Sequence, residues 1–323
     1  MLQARLEELP ADARRALRAA SVFGELFRRS GVEALLGDTT SASELDRSVA
    51  LLVEREVIEK RRAGSVGEDQ LAFRHALVRD AAYSMLTDAD RVLGHRLAGD
   101  WLERNGERDA MTLAEHFEQG GMPDRAIAWF ERAAAQAIEG HDLEAAIARA
   151  ERGITCGAGG STLGRLRLIQ ASAHDWRGEN VEACDRAAEA FARSAHGSEP
   201  WFAAACELAV TYRRLVRRDE LRALGEQIAA IGNVELTNGE PLRAVGRIII
   251  QLAISGFREI AEPIARGLAR HEALLACDPG ARAWVLASRA MLTMVGGDPT
   301  VFVRDAELII GAADESGDRR MSP

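Results

Sequence analysis

Three stretches decide the fold: residues 124–133, DRAIAWFERA, residues 142–154, DLEAAIARAERGI, and residues 178–190, GENVEACDRAAEA. In each, alanine and larger apolar residues recur at helical spacing, with charges between them. Ala146 and Gly153, like Ala183 and Ala190, stand seven residues apart on one helix face, where small side chains let neighbouring helices pack closely. Working outward, the chain after Asn105–Gly106 reads as helices near 110–119, 124–139, 142–155, 162–177, 179–195, 200–216, 219–231, 240–255, 258–276, 280–295 and 300–314. Trp201, Ala205, Leu208, Tyr212 and Leu215 form one apolar stripe. Leu221, Leu224, Ile228 and Ile231 form a second, and Trp284, Ala287, Met291 and Met294 a third. The helices pair about turns near Gly140, Gly178, Arg218, Gly256 and Gly297. A period of about 40 residues with two helices per unit marks an α-solenoid, because one helical hairpin cannot bury its apolar face alone but a stack can.

Residues 1–109 read differently. A first helix follows the Pro10–Ala11–Asp12 start and carries Ala13, Leu17, Ala20 and Val22 on one side. A short second helix runs through Val32, Leu35 and Leu36 to Gly37. A third opens at the capping box Ser41–Ala42–Ser43–Glu44 and carries Leu45, Val49, Leu52 and Val53. Val57 to Arg62 reads as a strand, Ala63 to Asp69 as a turn-rich tip, and Gln70 to Arg74 as the return strand. Three helices followed by a two-stranded wing make a winged-helix pattern. One helix then runs through Leu77, Ala81, Tyr83 and Leu86, and another spans about Arg91 to Arg104. The expected architecture is mainly α: a winged-helix-like module over 1–109, then an α-α superhelix over 110–323.

Composition narrows the function. The 323 residues suffice for about two domains. A net charge of −9 opposes nucleic-acid and anionic-membrane binding, both of which need a basic face. Cys156, Cys184, Cys206 and Cys277 include no Cys-x-x-Cys pair, so neither zinc nor a disulfide is expected. The N-terminus has no signal-peptide core, and the apolar stretch near Ile248–Ile254 is too short to span a bilayer. A cytoplasmic protein is the expectation.

The three opening stretches resemble tetratricopeptide repeats, with a period nearer 40 than 34 residues and only 20 residues between Ala126 and Ala146. A second resemblance covers the junction. Residues 73–83, FRHALVRDAAY, followed by Arg91, His95 and Trp101–Leu102, are similar to a block at the end of the winged helix in signal-transduction ATPases with numerous domains. Residues 9–15, LPADARR, with Ala19 to Gly24, look like the first winged-helix helix of that family. The resemblance implies an order of ATPase module, winged helix and superhelical repeats, with a kinase or cyclase domain in some bacterial members. It also implies that His75 reaches a phosphate of ADP held by the ATPase module, although Ala76 stands where the family often has an acidic residue.

The chain itself carries no catalytic motif. Lys60, its only lysine, lies between Glu59 and Arg61, so neither a P-loop nor a kinase strand lysine exists. His-Arg-Asp, Asp-Phe-Gly, His-Glu-x-x-His and Gly-x-Ser-x-Gly are also missing. The family's catalytic parts would lie upstream of Met1. The expectation is therefore a non-enzymatic regulatory and interaction region with no cofactor of its own. Its partner would be a protein or an ATPase module, in cis or in trans. The alternative is a DNA-binding regulator. It is disfavoured because the would-be recognition helix sets Glu44, Asp46, Glu54 and Glu56 against Arg47 and Arg55, leaving only Lys60–Arg61–Arg62 on the wing. Arg213, Arg214, Arg217 and Arg218 form a second basic cluster, at a helix end where cations favour the dipole. His116 and His174 are expected to be structural or solvent-facing residues without companions.

Overall fold

A computed structural model describes residues 6–37, 40–61, 70–231, 238–298 and 300–317. The fold is mainly helical. Two compact units divide it, Met1–Ala133 and Ala134–Pro323. The sequence reading puts the domain boundary at 109/110; by contacts, the helix Ala110–Gln119 groups with the first unit.

The first unit runs α1 (Ala11–Val22), β1 (Leu26–Arg28), α2 (Arg29–Leu36), α3 (Ala42–Glu54), β2 (Ile58–Arg61), β3 (Gln70–Phe73), α4 (Ala76–Ser84), α5 (Asp88–Arg104) and α6 (Ala110–Gln119). The capping box forms as expected: the Glu44 N–H donates to Ser41 Oγ at 3.3 Å, and the Ser41 N–H donates to Glu44 Oε2 at 2.8 Å. The sheet is antiparallel in the order β1-β3-β2, with Ile58 opposite Phe73 and Phe27 opposite Leu71. The sequence reading misses β1, which is too short to show an alternating pattern. It joins β3 because Phe27 packs on Phe73, with ring centroids 5.3 Å apart. The hairpin tip at 63–69, with Arg62, lies outside the described residues. The helix expected from Arg91 begins earlier, at Asp88, because Thr87 Oγ1 accepts the Asp90 N–H at 3.1 Å. Leu17, Leu45, Leu52, Ile58, Leu71 and Phe73 form the core. Burying each such side chain contributes roughly 1.5–3 kcal/mol.

The helix α7 (Pro123–Glu139) leads into the second unit. There follow α8 (Leu143–Thr155), α9 (Gly160–Trp176), α10 (Asn180–Arg193), α11 (Glu199–Arg214), α12 (Arg218–Ala230), α13 (Glu240–Ile254), α14 (Arg258–Leu268), α15 (Glu272–Cys277), α16 (Pro279–Val295) and α17 (Thr300–Ser316). Helices α9, α11, α13 and α16 pack side by side as one layer, and α10, α12, α14 and α17 each pack back on it. The stripes on α11 and α12 are buried as expected, with Trp201, Leu208, Leu221, Leu224 and Ile228 in a core continuous with Leu242, Ile248, Ile249 and Leu252. Two expectations are corrected. The helix expected over 258–276 breaks at a 3-10 turn, Ala269–His271, between α14 and α15. On α16 the buried face is Ala281, Val285, Ser288 and Leu292, not the Trp284–Met294 stripe. Small residues let α16 sit close to its neighbours, and their weak hydrophobicity hid that face from a reading based on large apolar groups.

The repeat is also visible in how its helices end. Each inner helix closes with the same pair of backbone bonds. The Glu179 N–H reaches the His174 carbonyl at 3.0 Å, Arg217 reaches Tyr212 at 2.8 Å, Phe257 reaches Leu252 at 2.9 Å and Asp298 reaches Thr293 at 3.0 Å. This closure puts the residue before each donor in the left-handed region. Those residues are Gly178 (φ 77°), Val216 (φ 58°), Gly256 (φ 87°) and Gly297 (φ 92°). The third turn is thus centred on Val216, not on Arg218. A β-branched residue is strained at positive φ. Val216 is exposed, so its side chain returns little packing energy. Val216→Gly is expected to raise stability by about 1 kcal/mol, since the strain relieved exceeds the entropy that glycine adds to the unfolded chain. Urea denaturation checks this; a lower midpoint would show that the turn is relaxed with valine.

Candidate functional site

The inner layer of the second unit carries a cleft of about 780 Å³ that reaches from α9 across α11 and α13 to α16. A second hollow of about 360 Å³ lies towards the other ends of the same helices, and Arg247 and Trp284 line both. Every inner helix of the array contributes, because equivalent positions recur on the same side of each repeat.

The floor is built around a buried acid. Glu207 on α11 is only 4% exposed. Arg247 Nη1 approaches its Oε1 at 3.5 Å, and the same guanidinium lies 5.6 Å from the Trp284 ring centroid. One turn away, Arg243 holds Asp278 Oδ1 at 2.7 Å and Glu240 Oε1 at 3.0 Å. Asp278 also caps α16, accepting the Ala281 N–H at 2.9 Å. Burial pushes its carboxyl up, but the Ala281 N–H and Arg243 outweigh this and hold it below the usual aspartate value. Cations and carboxylates therefore hold each other in place around the cleft, and such partly buried pairs orient side chains more than they stabilise the fold.

Glu139, Glu199 and Glu240 line the cleft together with Arg243 and Arg247. Arg213 and Arg214 line the second hollow, where Asp175 stands beside them. The arginine cluster seen in the sequence does not form a single patch. Arg213 Nε donates to Gln251 Oε1 at 2.5 Å, Arg214 pairs with Asp175, Arg217 reaches Cys184 Sγ at 3.5 Å, and Arg218 lies over the Phe257 ring.

His75 lies in the first unit as the residue before α4, with φ −142° and ψ 135°. It is exposed, and its imidazole makes no capping hydrogen bond to the helix. Arg74 beside it pairs with Glu56 at 2.8 Å, and Leu77, two residues on, is 73% exposed.

The expectation that His116 has no companion is wrong. Its Nδ1 lies 3.1 Å from Nδ1 of His95, and both side chains are buried. The other face of His95 meets the Tyr83 hydroxyl at 2.8 Å from Nε2. Burial pushes both imidazoles down to about 4, with nearby Arg79 adding to the effect on His95 and His95 to that on His116. His174 has a partner too, Glu179 Oε2 at 2.6 Å from its Nδ1. No sequence signal marks the histidine pair, because its members come from consecutive helices that only packing brings together. Among the described residues no group of three or more His, Cys, Asp or Glu is placed to hold a metal ion.

No protein-family model and no curated protein sequence matches the chain. The fold has a counterpart among solved structures. A protein from Pyrococcus horikoshii, described as a signal transduction ATPase with numerous domains with a tetratricopeptide repeat sensor, aligns with 98% of this chain at a TM-score of 0.54 and 13% sequence identity. The likeness supports a tetratricopeptide-like helical region. The chain spans about half the length of that protein, 46% of it. Among the described residues no helix is long and apolar enough to cross a membrane.

Proposed function

We propose that the chain is the non-catalytic regulatory and partner-binding region of a cytoplasmic signalling ATPase. In this reading α1 to α3 with the β2–β3 hairpin act as a winged-helix module, and the helical repeats sense a protein partner. The observation that carries it is the charged cleft crossing four inner helices of a repeat stack. It offers an extended surface for another chain. The architecture of the solved ATPase with a repeat sensor supports the same reading.

Coupling to a nucleotide switch would run through His75. Its exposure at the start of α4 leaves the imidazole open to an ATPase module. One hydrogen bond to a charged phosphate contributes about 1.5–3 kcal/mol. With the ATPase module supplied in cis or in trans, His75→Ala is expected to weaken ADP binding about ten- to a hundredfold. Titration of wild-type and variant assemblies with ADP, alongside thermal melts, makes the test. Equal affinities with equal melting would leave His75 a structural residue and remove this coupling. The chain alone is expected to turn over no ATP. Magnesium-dependent hydrolysis abolished by a substitution within the chain would refute the non-catalytic reading.

A further inference from the structure

Two tryptophans line the second hollow instead of joining the core. Trp201 packs among the buried side chains of the repeats, but Trp176 is 39% exposed and Trp284 stands off the buried face of α16. A large aromatic kept out of a core is informative, because its burial would have stabilised the fold. His141 meets Trp176 edge to face, with ring centroids 5.2 Å apart, and steadies the indole. The guanidinium of Arg247 lies over Trp284, 5.6 Å from its ring centroid. The two indoles come from α9 and α16, the outermost of the four inner helices around the hollow, and Val210 of α11 adds an aliphatic wall.

Three guanidiniums and one carboxylate line the same hollow. Two of the guanidiniums are matched: Arg214 pairs with Asp175, the lining carboxylate, and Arg247 pairs with Glu207 of the neighbouring cleft. Arg213 differs. Its Nε donates to Gln251 Oε1, a neutral amide that orients the guanidinium without neutralising it. Among the described residues no carboxylate pairs with Arg213, and no acceptor takes its two terminal nitrogens. Those nitrogens form a planar fork that matches a carboxylate. An anion placed there meets one unmatched cation and two neutralised pairs. A cation would be repelled by Arg213, and an uncharged ring would stack but leave the fork unfilled. Pockets for small ligands begin near roughly 300 Å³, so a hollow of about 360 Å³ suits a molecule of one or two rings.

We propose that this hollow binds a small aromatic carboxylate, its ring against Trp176 and Trp284 and its carboxylate on Nη1 and Nη2 of Arg213. The inference does not depend on partner binding in the cleft. The test titrates the whole chain at low salt with 2-naphthoate, its neutral amide 2-naphthamide, and the cation 2-naphthylmethylammonium. Calorimetry gives the affinities. The acid is expected to bind at least ~tenfold more tightly than the amide, the margin of one charge-assisted contact, and to weaken as salt screens Arg213. The cation should bind more weakly than the amide. In Arg213→Gln the acid should fall to the affinity of the amide, with the amide unchanged. In Trp176→Leu, whose altered side chain is exposed, acid and amide should weaken together. Circular-dichroism melts check the folding of both variants, and the comparison of acid with amide on the wild-type chain needs no variant at all. Binding of the amide or the cation as tightly as the acid would overturn the proposal. So would full affinity for the acid in Arg213→Gln, or binding of none of the three.

Discussion

Acidification from pH 7 to about 4.5 is expected to destabilise the first unit through His95 and His116, whose imidazoles are held neutral with proton affinities pushed down to about 4. In the unfolded chain the same groups titrate near 6.5. Between those two values the unfolded state binds more protons than the folded one. Stability therefore rises with pH across this window and is lost as pH falls through it. A shift of this size corresponds to about 3 kcal/mol for one buried imidazole. The two rings share a contact, so the pair loses on the order of 3–6 kcal/mol rather than a simple sum. Against a domain stability of about 5–15 kcal/mol that loss is decisive. Two cations also stand near the pair. The guanidinium of Arg79 and that of Arg91 each lie 5.1 Å from the centroid of the Tyr83 ring, and the Tyr83 hydroxyl already meets His95. Urea titrations at several pH values give the slope directly. His95→Gln/His116→Gln should be less stable than wild type at pH 7, because a fitted pair is lost, yet show a shallower decline between pH 6.5 and 4.5. An equally steep decline in this double variant would place the acid sensitivity elsewhere.

The second large effect is expected in the repeats, from Gly246→Leu. A Cβ at Gly246 would lie 2.9 Å from the Trp284 carbonyl oxygen and 3.0 Å from its carbonyl carbon. These are backbone atoms of α16 and cannot rotate away, so α13 must move off its neighbour. Replacing a mid-helix glycine gains about 1 kcal/mol of helix propensity. The displacement costs more: overpacking a dense interior typically costs about 1–3 kcal/mol, and here it also opens the contact beside Trp284 and Arg247. We expect a net loss of about 2 kcal/mol or more. Calorimetry at neutral pH should show a lower transition for the variant. An unchanged or higher transition would mean that α13 and α16 have room to separate at no cost.

The helical repeats were legible because their information is local. DLEAAIARAERGI at 142–154 shows its helical period, and Ala146 and Ala150 are buried as the small-residue face requires. The capping box at Ser41 was legible for the same reason, since its partners are three residues apart. The face used by α16 was not. Trp284 and Met294 are more hydrophobic than Ala281 and Ala283, but Ala281 joins the core that holds α13, and Ala283 packs with Ala312 and Ala313 of α17. The strand Leu26–Arg28 was likewise invisible, because three residues cannot display a period and its partner strand lies more than 40 residues away.

By itself the sequence determined a chain of paired helices with an N-terminal hairpin-bearing module, the helix-start position of His75, and the want of any phosphate-cradling loop. These follow from periodicity, caps and residue types, all of which act over a few neighbouring positions. Only the tertiary structure decided that His95 meets His116, that Glu207 is buried against Arg247, and that the arginines of 213–218 go to separate partners. Each of these depends on which helix faces bury one another. That choice is made by the fit of side chains from distant segments, and no local pattern records it.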